Sequence, residues 1–500
     1  MNLLTEKYKD KIDFSLSCYD RIIINGVLPE ISYAQGMTSY LYQKGIRIFD
    51  YARFAEPFKE QIRFNAERIA KDNGIEIEFI RKSGIRKETI IADKIKERGT
   101  DPGLVHIISV METCPSYKPW HDKQTGKTFV RPDQSKCLHY YFYFIDEYLG
   151  LCYVRVPTWC PFRLQIYFNG HNVLASELAS QGISYTMLDN AFCSIEDPVK
   201  AQELADQIDI KKIHRCLDEF AWRYCPVYKE LGFRYHWSIM QAEYATDIVF
   251  RRQKTLQGIY GEIVKTAIHT VKPENVATFL GRKLDGRYKD EIGNNYNIRI
   301  EGSRIKHTMG KCAIKMYDKF SKILRIETTT NDVTFFKHYR EVEHRDGTKS
   351  KKIASLKKGI YSLGMLKENL SFSNKRYLEF ISAFDNNEIG RKRLFKISSS
   401  KTENNRNYKG FNFFDPNDLQ VFLSILKGQF NISGFQNKDL QKLLGLNSGQ
   451  VSRLLKRLRV HGLIKKIANT YKYYVNKLGK ETIVIAEKIK EIVMIPAFGY

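Results

Sequence analysis

Carboxylates, lysines and histidines that could support metal-dependent chemistry are crowded between positions 111 and 146. Glu112, Asp122 and Asp146 are the candidate catalytic acids here, and an aromatic strand is predicted at 140–144, just before Asp146. Metal-dependent nucleases use carboxylates to hold Mg²⁺ and basic groups to stabilise the phosphoryl-transfer transition state. The stretch therefore predicts a nuclease site, although its spacing matches no exact nuclease motif. The alternative is a polar loop beside a buried strand.

A second candidate site involves acids that are far apart in the sequence. Asp20 directly precedes a predicted strand at 21–24, and Asp146, Asp189 and Glu301 are its candidate partners. Transposase-like and RNase H-like folds place acids on a first strand and on later elements, where they hold Mg²⁺ together. The sequence leaves the partners of Asp20 open, and ordinary surface acids are the alternative interpretation.

A third candidate is a tyrosine. The segment IKMYDK (314–319), followed by LRIETT (324–329), resembles strand regions of phage and plasmid rolling-circle replication initiators. Those proteins use a tyrosine nucleophile and a His-x-His metal site, so the resemblance implies that Tyr317 is the nucleophile. The chain departs from that pattern because it contains no His-x-His. The alternative is a solvated strand pair whose Lys306, Lys315 and Arg325 contact phosphates without chemistry.

Net charge is the clearest compositional signal. The 500 residues include 81 Lys and Arg against 56 Asp and Glu, a net charge of +25. An excess of this size favours a polyanionic partner. The segment 436–480 is especially basic, because Asp439 is its only acid. We therefore expect a nucleic-acid partner, with DNA favoured and structured RNA as the alternative. No membrane partner is expected, because no apolar run reaches the ~18 residues of a span.

Together with the residues from Asp415 that precede it, this basic segment has the pattern of three helices and a hairpin. Asp415-Pro416 predicts the start of the first helix, and Gly445 is expected to end a second helix capped by Asn437. Asn447, with Gln450 three residues later, predicts a capping box for the third helix. Two short strands, at 463–467 and 471–475, then predict a hairpin that carries further lysines.

The stretch QNKDLQKLLGLNSGQVSRLLKRLRVHGLIKKIANTYKYYVNKLGK resembles the winged helix of the MarR type over about 80 residues. The resemblance implies DNA binding, with the third helix in the major groove and basic side chains on the phosphates. A winged helix that contacts protein or RNA is the alternative. The predicted nucleic-acid-binding residues are Lys438, Gln450, Ser452, Arg453, Lys456, Arg457, Arg459, Lys465, Lys466 and Lys472.

The elements needed to position these residues predict an α+β body. The first 110 residues alternate short strands and helices, which favours an α/β layer with some parallel pairing. An antiparallel meander is predicted at 139–168, a helical middle region at 211–271, and further strands at 297–328. The predicted domains are an α/β and antiparallel-sheet domain at 1–205, a helical and strand domain at 206–397, a linker at 398–414 and the winged helix at 415–500.

Cysteine usage and the N-terminus favour a cytoplasmic location. The nine cysteines form no C-x-x-C pair, and the first residues lack the apolar stretch of a signal peptide. The chain as a whole is similar to a family of uncharacterised bacterial proteins, through segments such as KCLHYYFYFIDEYLGLCYVRVPTWCPFRLQ and RIEGSRIKHTMGKCAIKMYDKF. That resemblance implies a common fold and brings no activity.

Two functions remain open at this point. The first is a nucleic-acid-binding protein, acting as a regulator or as an accessory factor of a mobile element. The second is a Mg²⁺-dependent nuclease or transposase-like enzyme that the winged helix targets to its substrate. The sequence does not fix the oligomeric state.

Overall fold

The computed structural model describes residues 3–82, 84–284, 292–299, 302–344, 346–382, 387–428, 430, 434–467, 470–488 and 495. The chain divides into two compact units, unit 1 (Met1–Phe384) and unit 2 (Asp385–Tyr500). Helices and strands are both abundant, and the predicted α+β class is confirmed. Among the helices described, none has the length and apolar character that a bilayer crossing requires.

Eleven of the strands described in unit 1 form one sheet. The strands of this unit are β1 Ile12–Val27, β2 Ile77–Ile80, β3 Gly103–His121, β4 Thr128–Asp146, β5 Gly150–Pro157, β6 Leu164–Asn169, β7 Tyr185–Leu188, β8 Ala191–Ile195, β9 His236–Phe250, β10 Ile292–Arg299, β11 Gly302–Met309, β12 Cys312–Lys319, β13 Ile323–Thr330, β14 Lys337–Glu343 and β15 Lys349–Ser355. The order across the large sheet is β10-β11-β12-β13-β9-β1-β6-β5-β4-β3-β2. The pairs β7-β8 and β14-β15 form separate hairpins.

Helices pack on this sheet. They are α1 Leu4–Lys7, α2 Ala34–Gln43, α3 Tyr51–Asp72, α4 Lys87–Arg98, α5 Gly170–Ser180, α6 Pro198–Asp206, α7 Ile210–Tyr224, α8 Val227–Leu231, α9 Gln253–Thr270, α10 Pro273–Phe279 and α11 Leu363–Ile381. Amphipathic sequence explains their attachment: in α7, Ile213, Leu217, Phe220 and Tyr224 recur at helical spacing and are all buried.

The helix α11 covers one face of the central strands. Asn374 of α11 accepts a hydrogen bond from Thr328 of β13 (2.6 Å) and donates one to the Tyr244 carbonyl of β9 (3.0 Å). Because successive side chains of a strand point to opposite faces, the neighbour Glu327 points away from α11. The same alternation directs Glu243 of β9 to that opposite face.

The structure confirms several predicted elements of unit 1 and corrects others. The meander β4-β5-β6 and the parallel pair β2-β3 are present. The predicted helical middle region is wrong in part, because 236–250 is the central strand β9. The predicted boundary between 205 and 206 is also wrong, because β9 and β13 lie in the same sheet as β1. Splitting the unit there would cut the sheet at its centre.

Unit 2 contains the helices and the hairpin predicted at its C-terminal end. Its described elements are α12 Asn387–Ser398, β16 Lys401–Glu403, β17 Arg406–Tyr408, α13 Pro416–Ile425, α14 Asn437–Leu444, α15 Ser448–Val460, β18 Ile464–Lys466, β19 Tyr473–Val475 and α16 Lys477–Lys488. The predicted capping box of α15 is confirmed, because Asn447 accepts from the Gln450 amide (2.9 Å) and Gln450 accepts from the Asn447 amide (2.9 Å). The cap of α14 is Gln436 instead of Asn437.

The predicted linker at 398–414 is wrong. Strands β16 and β17 form a tight hairpin whose turn residues, Asn404 and Asn405, both have positive φ (51° and 57°). Asparagine tolerates this left-handed conformation better than most residues. Phe411, within the same stretch, is only 1% exposed and belongs to the hydrophobic core of unit 2. The polar composition of 398–410 therefore reflects a folded hairpin.

Candidate functional site

Three adjacent strands of unit 1 bring acidic side chains to the sheet face opposite α11. Asp20 lies on β1, Glu243 on β9 and Glu327 on β13, and one carboxylate oxygen from each lies within 4.8 Å of the others. Lys315 and Tyr317 on β12 complete the group. Asp20 and Glu327 are buried, and Glu243 is half-buried. These three acids, with their lysine and tyrosine, are called the carboxylate cluster below.

Strand register explains the convergence. Lys315 pairs with Glu327 across β12-β13, and Thr329 pairs with Glu243 across β13-β9. On β1 the pairing with β9 passes from Tyr19↔Tyr244 directly to Ile22↔Ala242. Asp20 and Arg21 together therefore face the single residue Glu243. This is a β-bulge, which re-aims side chains that ordinary alternation would send to opposite faces.

Lys315 links the two glutamates. Its ammonium donates to Glu243 Oε1 (3.0 Å) and to Glu327 Oε1 (2.6 Å). The Tyr317 hydroxyl donates to Glu327 Oε2 (2.7 Å), and Thr329 Oγ1 donates to Glu243 (3.2 Å). Two carboxylates thus share one ammonium. The space between Glu243 and Glu327 therefore already holds a cation.

A second group of charges lies beside the cluster. The fully buried Arg325 donates to both oxygens of Asp247 (2.6 Å each) and to Asp20 Oδ2 (3.3 Å). His171 lies 3.4 Å from Asp20 Oδ1. Asn169 and Asn190 each donate to the same Asp20 oxygen at 2.7 Å. Asp20 is therefore fixed in position from several directions.

These contacts set the protonation states. Burial opposes ionisation of Asp20, but His171 and Arg325 outweigh it and hold the pKa of that carboxyl well below its usual range. Burial also opposes ionisation of Glu327, yet the Lys315 ammonium lowers the pKa of Glu327. Glu243 behaves differently: burial and then repulsion by Glu327 raise its pKa to about 7. The cluster therefore combines two carboxyls whose pKa is lowered with one whose pKa is raised.

The cluster faces open space. A cavity of about 350 Å³ is lined by all five of its members, together with Asp189, Asn190, Ser303, Arg304, Asp318, Lys319 and Phe320. A second cavity of about 820 Å³ shares Asp20, Glu243, Asp189 and Asn190 with it. The second cavity extends along the sheet face beneath α4. Ligands of substantial size can thus reach the acids from two sides.

The carboxylate set suits a hard divalent cation. Mg²⁺ prefers carboxylate oxygens and retains several waters, and three acids beside an open cavity offer both. One oxygen of each acid lies within 4.8 Å of the others, which is close to the ~4 Å that two opposite ligands of one Mg²⁺ span at ~2.1 Å each. Among the residues described, this is the one group of at least three His, Cys, Asp or Glu residues with such spacing.

Two sequence-predicted candidates belong to the cluster, namely Asp20 and Tyr317, while three others do not. Glu112 is neutralised by Lys87 (2.9 Å) and Arg155 (2.8 Å). Burial opposes ionisation of Glu112, but these two cations lower its pKa to about 2.

Asp122 and Asp146 have local structural roles. Asp122 accepts from the Gln124 amide and the Thr125 hydroxyl in the turn between β3 and β4. Asp146 accepts from the amides of Tyr148 and Leu149 in the next turn. Both are turn-forming aspartates, and neither of them, nor Glu112, belongs to the group of converging acids found among the described residues.

The candidate partners of Asp20 are mostly different from those predicted. Asp189 lines the cavity but is exposed and pairs with Lys319 (2.8 Å), and Glu301 lies outside the described residues. The partners present are Glu243 and Glu327, which the sequence did not indicate. Arg325, predicted to touch phosphates, is fully buried, so that prediction is wrong.

In unit 2 most of the predicted nucleic-acid-binding residues are exposed. The exposed cations are Lys438, Arg453, Arg459, Lys465, Lys466 and Lys472. Gln450 is exposed but its side-chain oxygen caps α15, and the Ser452 hydroxyl accepts from Asn437 (2.8 Å). Lys456 is half-buried and pairs with Glu403 (2.6 Å).

Arg457 belongs to the internal structure of unit 2. It donates to both Asp418 oxygens (2.8 and 2.9 Å) and to the Lys409 and Gly410 carbonyls, and its guanidinium lies 3.9 Å from the centre of the Phe411 ring. Its predicted role in contacting the duplex is therefore replaced by a structural one. Beside it, a groove of about 870 Å³ is lined by Arg406, Lys409, Arg453 and Lys456 among others.

Comparison of the chain with protein-family models, with curated proteins and with solved structures finds no match.

Proposed function

We propose that this protein is a divalent-cation-dependent enzyme that cleaves phosphodiester bonds in nucleic acid, and that unit 2 binds the nucleic acid. The observation that carries the proposal is the convergence of Asp20, Glu243 and Glu327 beside an open cavity. Acids on separate strands that meet at a cavity are the arrangement with which proteins hold catalytic metal ions.

A purely structural ion-pair network is the main alternative. The contacts of Arg325 with Asp247 and Asp20 do fit that description, because every member is buried and paired. Glu243 is also paired, with Lys315, but burial and a neighbouring acid still raise its pKa to about 7. An acid that is costly to ionise gives the fold no net stability, and such groups concentrate at functional sites.

A bound Mg²⁺ would supply positive charge against the negative charge that develops on a phosphate during cleavage. Asp20, Glu243 and Glu327 would hold it. Lys315 is the cation already present between the two glutamates, so it would either yield to the metal or stay as a second positive group near the phosphate. Either arrangement neutralises a dianionic transition state.

The nucleophile has two candidates, water and Tyr317. Tyr317 lines the cavity, and its hydroxyl donates to Glu327, so Glu327 is positioned to receive its proton. Burial and then the charge of Glu327 raise the pKa of Tyr317, which makes that proton transfer essential for attack. A phosphotyrosyl adduct that survives denaturation would identify Tyr317 as the nucleophile.

Nucleic-acid binding by unit 2 is supported by α15 and the hairpin that follows it. Arg453 and Arg459 on α15 and the lysines of β18 and its turn are exposed, as the winged-helix resemblance implies. Exposed cations on a helix-turn-helix supply phosphate contacts, and these dominate affinity. A regulator or mobile-element accessory factor that binds without cleaving would rely on this surface alone.

The test is cleavage of supercoiled plasmid and of circular single-stranded DNA with Mg²⁺. We expect cleavage by the wild-type chain and a loss of at least about a hundredfold in Asp20→Asn and Glu327→Gln. Glu112→Gln is the matched control, because Glu112 is a paired acid outside the cluster. DNA binding without cleavage in the wild type would favour the regulator, and equal cleavage by Glu327→Gln would reject the cluster as the active site.

A further inference from the structure

Arg21 stands out among the charged groups around the cluster. Its Nε is buried and has no hydrogen-bond partner among the described residues. The neighbouring charges behave differently, because Arg325 and Lys315 each bond to two carboxylates. Buried polar groups without partners are rare in folded proteins, and an absent ligand is one of the standard explanations.

The β-bulge places Arg21 beside the acids. Asp20 and Arg21 together oppose Glu243, so the chain directs an acid and a cation to neighbouring positions at the same site. Arg21, Asp20 and Glu243 all line the cavity of about 820 Å³. A regular strand would send Asp20 and Arg21 to opposite faces. The bulge is therefore what puts a cation next to the candidate metal centre.

Aromatic rings hold Arg21 in place. Its guanidinium lies 5.4 Å from the centre of the Tyr167 ring, and Tyr153 stacks on Tyr167 with ring centres 5.2 Å apart and planes 17° apart. A guanidinium over an aromatic face keeps its N–H edge available for other partners. Tyr143 continues the row along the cavity floor towards α4.

We infer that Arg21 binds a phosphate group of the substrate, a nucleotide unit of a nucleic-acid strand, next to the metal held by the carboxylate cluster. The inference rests on the proposed function and identifies a residue that contacts the substrate at that same site. Arginine binds phosphate through two parallel charge-assisted hydrogen bonds. The cation at Arg21 and the metal at Asp20 and Glu243 would then contact one phosphodiester from two sides. The tyrosine-floored cavity would take the attached nucleoside.

The first test uses the p-nitrophenyl ester of thymidine 5′-monophosphate, a small phosphodiester that needs no contact with unit 2. We expect Arg21→Met to raise KM about tenfold to a hundredfold, since a charge-assisted bidentate contact is lost, and Arg21→Lys to recover part of that loss. Arg63→Met is the matched control, because Arg63 is exposed on α3 in a pair with Glu67 and lines neither cavity, and the KM of that variant should stay within about twofold. An unchanged KM in Arg21→Met overturns the inference.

The second test separates this inference from the proposed function. Mn²⁺ binding should be retained in Arg21→Met, because Arg21 is not a metal ligand, whereas Glu327→Gln should lose it. If the wild type cleaves nothing, inorganic phosphate still provides a probe. It should raise the melting temperature of the wild-type chain and leave that of Arg21→Met unchanged. A phosphate response that is equal in both, or absent in the wild type, counts against Arg21 as a phosphate ligand.

Discussion

Replacing Glu243 by Gln should make the protein more stable at alkaline pH. Burial and repulsion by Glu327 raise the pKa of Glu243 from 4.5 to about 7 in the folded state. The folded chain therefore binds this proton more tightly than the unfolded chain does. Its stability falls as pH rises from about 4.5 through about 7, and the full penalty is present above that range.

The size of the effect follows from the two pKa values. Since one pKa unit corresponds to about 1.4 kcal/mol, a pKa moved from 4.5 to about 7 costs the folded state about 3 kcal/mol at pH 8. Glutamine keeps the shape and hydrogen-bonding capacity of the side chain without the charge. Glu243→Gln should therefore be about 3 kcal/mol more stable than the wild type at pH 8, and about equal to it near pH 4.5.

Differential scanning calorimetry of the full chain measures this gain. For the 384 residues of unit 1, an unfolding entropy of ~2.1 cal/mol/K per residue makes about 3 kcal/mol equivalent to a rise of about 4 °C in Tm. Glu262→Gln is the control, because Glu262 lies exposed on α9 in a pair with Lys265, and its Tm should move by less than about 1 °C. If Glu243→Gln has the wild-type Tm or a lower one at pH 8, burial and Glu327 do not raise the pKa of Glu243 as described above.

Three further perturbations test other parts of the structure. Arg325→Met should lower the unfolding free energy by at least about 3 kcal/mol at pH 8, because it removes the bidentate partner of the buried Asp247 and one partner of the buried Asp20; a Tm close to that of the wild type would contradict this. Combined Arg453→Ala and Arg459→Ala should reduce the slope of log affinity against log salt by about 2 in fluorescence anisotropy with duplex DNA, whereas an unchanged slope would remove α15 from the binding surface. Asn447→Ala should cost unit 2 about 1 kcal/mol through loss of the α15 cap, measured by calorimetry, and a loss no larger than in the exposed control Asn407→Ala would argue against that cap.

Local elements were predictable where one pattern dominates. The strands β12 and β13 alternate at period two, and the α15 cap follows from Asn447 and Gln450. The strand β9 was missed because its sequence, HWSIMQAEYATDIVF, mixes helix-favouring residues with apolar positions covered on both faces. Missing β9 also hid Glu243, since an acid assigned to a helix gives no reason to pair it with Asp20.

The site depends mainly on strand order, which one sequence does not reveal. Asp20 and Glu327 are neighbours only because the chain order is rearranged as β13-β9-β1 within the sheet. Long-range pairing of this kind leaves no local pattern. Arg457 illustrates the same limit in unit 2: helical periodicity places it among exposed cations, but Asp418 of another helix pairs with it.

The most direct measurement is the binding of Mn²⁺ to the full chain at pH 8, followed by electron paramagnetic resonance of the free ion. Wild-type protein should remove Mn²⁺ from solution, Glu327→Gln should bind it at least about tenfold more weakly, and Glu112→Gln should bind it like the wild type. Equal binding by the wild type and Glu327→Gln, or none by the wild type, would contradict a metal centre at Asp20, Glu243 and Glu327.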